Sequence, residues 1–114
     1  MGRRGRQRER AKAPTSTYER DGSALELRGS LTPASRREYT ALVGGGSTRE
    51  DTWHRAVEFL FERLAVSWTI EDVEWTKQKE VLARFRVASE EERAWVRDVL
   101  REHVRERFPD VDAP

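Results

Sequence analysis

From Trp53 onward the apolar residues recur at intervals of three and four. Trp53, Val57, Leu60, Phe61, Leu64 and Trp68 fall on one stripe, which predicts a core helix reaching about Val66 to Trp68. Ser47 and Glu50 ahead of it have the S-x-x-E spacing of a capping box. A second run, Gln78, Val81, Leu82 and Phe85, predicts a helix through about Val87 that Thr76 caps, with Lys77, Lys79, Glu80, Arg84 and Arg86 largely on other faces. Ser89 and Glu92 repeat the capping-box spacing. Beyond them Val96, Val99, Leu100 and His103, flanked by Trp95 and Val104, form one face of a last helix that Phe108-Pro109 stops. Between these helices Ser67 to Trp75 is rich in β-branched and aromatic residues and reads as either extended chain or a buried loop.

The N-terminal half carries stronger punctuation. Leu25 and Leu27 alternate with charged residues after Asp21-Gly22, a pair that supplies the positive φ angles of a tight turn, so a small β-hairpin is expected with Tyr18, Leu25 and Leu27 laid on the helices. Thr32-Pro33 starts a helix that runs to about Val43, and Gly44-Gly45-Gly46 ends it, with left-handed geometry available at the C-cap. No internal repeat with a period of 20 to 50 residues is visible. The expected fold is mainly α: a small bundle of about four helices with a short N-terminal hairpin, forming a single domain over residues 17–114.

Residues 1–16 have no aliphatic side chain larger than Ala after Met1, which predicts a disordered tail. Arg3, Arg4, Arg6, Arg8, Arg10 and Lys12 face Glu9 alone, a net of +5, so the rest of a chain of formal charge +1 carries about −4. An arm of this kind can neutralise phosphates, which makes backbone binding to nucleic acid one function class. With charged residues at 38% and the apolar set at 36%, the body is polar but retains four Trp. The chain has no Cys, which excludes a disulfide framework and Cys-ligated metal sites; with no long apolar run, it is expected to be cytoplasmic and not membrane-bound.

Candidate chemistry is sparse. His54 and His103 lie on different helices without a partner at ligand spacing, so neither a metal nor a cofactor is expected. His54 is placed at the surface. His103 falls in the apolar face of the last helix and reads as a core histidine bonded to a carboxylate or carbonyl rather than as a catalyst. The glycine run lacks the Lys and preceding strand of a phosphate loop and reads as a linker. Phe59 and Val66, seven residues apart, define a second apolar strip on the central helix. Either a partner helix covers that strip or the protein's own chain does. The same pair of readings applies to Trp68 and Trp75.

The run Ala56 to Trp68, followed by Lys77 to Arg86 and by Glu92-Arg93-Ala94-Trp95-Val96-Arg97, resembles small tail-assembly proteins of actinobacterial phages and prophage-like clusters. The order of a short β-rich start and a helical body is similar to phage tail assembly chaperones. The resemblance spans roughly residues 18–114 and excludes the basic tail. It implies a non-enzymatic protein that binds the long, aggregation-prone helical tape-measure protein during assembly and leaves before the tail is complete. Such a task needs an apolar surface able to cover a helix, for which Phe59, Val66, Trp68 and Trp75 are the candidates. Self-association is left open. The competing expectation is a nucleic-acid-associated helical protein that holds phosphate through the six cations of its arm.

Overall fold

A computed structural model describes residues 14–45 and 49–111. Its elements are β1 (Thr15–Arg20), β2 (Ser23–Arg28), α1 (Pro33–Val43), α2 (Arg49–Leu64), β3 (Ala65–Ile70), β4 (Val73–Trp75), α3 (Gln78–Arg86) and α4 (Glu90–Arg107). The order is two strands then two helices, twice over. Residues 1–13, which hold the six candidate cations, lie outside the described residues, as does Ser47 of the expected capping box.

The first hairpin forms where the turn chemistry places it. Asp21 and Gly22 have φ of 40° and 84°, the left-handed pair that matches the twist of the strands they join. Tyr18 then pairs with Leu25 and Ser16 with Leu27. The strand starts at Thr15, so the expected disorder does not extend through Thr15 and Ser16. Their β-capable side chains continue the ladder, which Gly29 closes by donating its N–H to the Pro14 carbonyl. A Cβ at Gly29 would sit 2.7 Å from that carbonyl oxygen, so only glycine permits the approach.

The expected helix bundle is corrected at residues 65–75. The helical stripe stops at Leu64, and Trp68 belongs to β3. Glu71 and Asp72, with φ of 48° and 69°, turn the chain into β4. The fold is therefore α+β: a four-stranded antiparallel sheet in the order β1-β2-β3-β4, with four helices among the described residues. Trp68 lies seven residues after Phe61, in phase with a helix, yet Trp68 and Ile70 equally fit the period of two. Pairing resolves the ambiguity. Leu25 lies opposite Trp68 and Leu27 opposite Ala65, so the third strand completes an apolar face that a lone hairpin leaves open. A register shift at Glu26/Leu27 leaves Val66 as the extra residue of a bulge.

Leu25, Leu27, Trp68 and Ile70 point from one face of the sheet into the core. The opposite face carries Thr17, Glu26, Ser67, Thr69 and Glu74, none of them buried. There Thr15 and Ser67 hydroxyls donate to the Glu26 carboxylate.

The helices bring Tyr39, Ala56, Val57, Leu60, Phe61, Leu64, Val81, Phe85, Val96, Val99, Leu100 and Val104 into the core. Phe61 sits at its centre, edge-on to Trp68 at 5.5 Å and tilted against Phe85 at 4.9 Å. Thr32 caps α1 through the Ser35 N–H. Gly44 ends α1 at φ −88°, without left-handed geometry, because its N–H and that of Gly45 still reach the Thr40 and Leu42 carbonyls. Thr76 does not cap α3: Lys77 holds that position without a side-chain bond, and the exposed Gln78 amide instead donates to the Glu62 carbonyl near the end of α2. The Ser89–Glu92 capping box of α4 is complete in both directions.

Replacing Leu25 by Ala removes side-chain volume where sheet and helices meet, and is expected to lower unfolding free energy by about 2–5 kcal/mol, read by urea denaturation.

Candidate functional site

The four apolar candidates do not share a surface. Phe59 is half-buried on α2, with its ring 5.9 Å from Tyr39 of α1 and the Arg63 guanidinium 4.8 Å above it. Val66 lies past the end of α2, at the bulge, so the two do not form a helical strip: the chain leaves helical geometry between them. Trp68 is 1% exposed, under Arg84 and against Phe61, and its Nε1 has no hydrogen-bond partner among the described residues. Trp75 is half-buried and stands opposite Trp68 in the ladder.

His103 is wholly buried. Its Nε2 lies 2.7 Å from the Arg28 carbonyl oxygen, and its Nδ1 lies 2.9 Å from the Tyr18 hydroxyl. A carbonyl only accepts, so the ring proton sits on Nε2, and Nδ1 receives a bond from Tyr18. The histidine is neutral and ties α4 to β1 and to the end of β2. Burial pushes its pKa below the ordinary 6.5, with the Arg107 charge acting the same way; the Arg28 carbonyl and Glu106 oppose them. Burial and the charges of Glu106 and Glu102 push the Tyr18 phenol up. The expected core histidine bonded to a carbonyl is what the fold holds.

Arginines lie over three aromatic rings at the edge of the core. Arg20 lies over Trp95 and pairs with Glu91, Arg36 lies over Phe108 and pairs with Asp110, and Arg84 lies over Trp68 and pairs with Glu92. Each guanidinium keeps water off a ring while its fork satisfies a carboxylate. The Glu92 carboxyl is held below its ordinary range mainly by the Ser89 backbone N–H and further by Arg84.

A cleft opens between α2, the end of α3 and the start of α4. It encloses about 190 Å³ and is lined by His54, Val57, Glu58, Phe85, Arg86, Glu90, Arg93 and Arg97. Val57 and Phe85 form a buried apolar floor. On one wall Arg86 is held to Glu58 by two bonds, of 3.3 and 2.9 Å. On the other, Arg93 and Arg97 make no ion pair, hydrogen bond or ring contact with a described residue, and His54, expected at the surface, is exposed at the rim. Two exposed apolar residues adjoin the lining: Val87, 78% exposed, follows Arg86, and Trp53, 38% exposed under Arg101, precedes His54.

The sequence reading missed this cleft. One signal was available, since Arg93, Arg97, Arg101 and Arg105 recur every fourth residue and place like charges on one helix face. Among the described residues no three His, Asp or Glu side chains are grouped to hold a metal ion, and no helix is long and apolar enough to cross a membrane. Comparison with protein-family profiles, curated proteins and solved structures yields no match.

As pH falls through the ordinary histidine value of 6.5 the unfolded chain takes up a proton at residue 103 that the folded imidazole resists, so this site makes stability fall until pH passes the lowered folded value. The Glu92 contribution is present above the ordinary carboxylate value of 4.5 and fades as pH falls through that residue's lowered folded value. Urea denaturation across this range checks the slope, and His103→Gln is expected to flatten its upper part. Tyr18→Phe strips the donor from Nδ1 and is expected to cost about 1–3 kcal/mol at pH 7.5 in the same assay.

Proposed function

We propose that the protein is a non-enzymatic assembly chaperone of the phage-tail type, which holds a helical segment of the tape-measure protein along the cleft between α2 and α4. The observation that carries the reading is the cleft itself, an apolar floor between charged walls, with exposed Val87 and Trp53 next in sequence to the lining residues Arg86 and His54. A helix laid in such a groove inserts one or two apolar side chains and leaves its polar face in water. Within the space between α2 and α4 there is room for side chains and none for a second helix, so the contact is shallow and reversible. That suits a client that must be released before the tail is complete.

The reading moves the contact away from Trp68, which is part of the core, and from Phe59, which α1 and Arg63 cover. Val66 and Trp75 lie on the sheet and not on the cleft lining. The Arg-rich arm, residues 1–13, supplies the competing reading through phosphate binding, and the same experiment separates the two.

The test is a nuclease-treated pull-down from cells assembling phage tails, made with the full chain, a chain lacking residues 1–13, and Trp53→Ser/Val87→Asp. The first two are expected to recover the tape-measure protein. The double variant is expected to lose at least about tenfold of it while keeping its melting temperature. Retention of nucleic acid by the full chain alone in an untreated sample, with no tail protein recovered, refutes the chaperone reading.

A further inference from the structure

We propose that Arg93 and Arg97 form a receptor for a carboxylate side chain of the partner helix, so that the cleft selects acidic amphipathic segments. This inference rests on the reading of the cleft as the docking site. Arg93 and Arg97 are one turn apart on α4, where like charges repel. Arg20, Arg36, Arg63, Arg84 and Arg86 have an acidic partner within the fold; Arg93 and Arg97, like Arg37, Arg49, Arg55 and Arg105, have none among the described residues, and of these six only Arg93 and Arg97 line the cleft. The acids of the cleft do not serve them, since Glu58 is engaged by Arg86 and Glu90 sits in the first turn of α4, where the helix N-terminus favours a negative charge.

The charge balance of the cleft selects the ligand class. Arg86, Arg93 and Arg97 stand against Glu58 and Glu90, a formal surplus of one positive charge with His54 neutral. One carboxylate cancels it, whereas a phosphate of about −1.5 to −2 overshoots and meets two carboxylates in the walls. Size agrees, because about 190 Å³ is below the roughly 300–1,000 Å³ of pockets that take whole small molecules. The stem of a glutamate can lie on Val57 and Phe85 while its head takes the planar forks of the two guanidiniums.

The probes are two synthetic amphipathic helical peptides with the same apolar stripe, one with Glu and the other with Gln at a single position flanking it, and inorganic phosphate. Affinity is measured by fluorescence anisotropy, and the Arg93 and Arg97 Nε–H signals are followed by NMR on the full chain. The Glu peptide is expected to bind roughly tenfold tighter or more and to shift both signals. R93Q/R97Q, checked for an unchanged melting temperature, is expected to bring it to the level of the Gln peptide, and R37Q on α1 is expected to leave the preference intact. Equal affinities with cleft signals still moving overturn the carboxylate receptor and leave the groove standing. Absence of binding by either peptide overturns the receptor and the groove together. Phosphate that shifts Arg93 and Arg97 where the Glu peptide does not overturns the assignment in favour of a phosphate site.

Discussion

The pairing of β2 with β3 is the contact on which the rest of the molecule depends. It brings Ser23–Ile70 and Leu25–Trp68 together across the whole of α1 and α2, so the chain must close a long loop before that contact repays the lost entropy. The return is an apolar face built from Leu25, Leu27, Ala65, Trp68 and Ile70, which neither hairpin contains alone. Once that face exists, α1 and α2 are the connection that must fold back over it. Burial of Phe61 between Trp68 and Phe85 then positions α3, and the Tyr18–His103–Arg28 chain of hydrogen bonds locks α4 onto the first hairpin. Three neutral polar groups satisfy one another there, so the tie holds without burying a charge.

Charge is handled differently at the surface. A body rich in Arg and Glu has few apolar residues with which to seal its core edges, and guanidiniums lying over Trp95, Phe108, Phe59 and Trp68 complete the seal. The paired carboxylates set the angle of each guanidinium more than they add stability, since exposed ion pairs contribute little. The cleft between α2 and α4 departs from that pattern, as Arg37, Arg49, Arg55 and Arg105 do elsewhere among the described residues. Its apolar floor lies between charged walls, and two of its three arginines meet neither a ring nor an acid among the described residues.

Local signals carried much of the architecture. Asp21-Gly22, Thr32-Pro33 and Ser89–Glu92 each act through their own backbone within four residues, and the turn and both caps form where those residues place them. The stripe of α2 through Leu64 and the burial of Val96, Val99, Leu100, His103 and Val104 follow from a period of 3.6 that needs no distant partner to be read. Residues 65–75 obey a different rule. Trp68 fits both a helical and an extended period, and Glu71-Asp72 lacks the glycine that marks the first turn. Only Leu25 and Leu27, brought alongside by the fold, make the extended choice the one that buries more apolar surface. The cleft is likewise a product of tertiary structure: Val57, Phe85 and Arg93 come from three helices, and no periodicity within one of them records the space between all three.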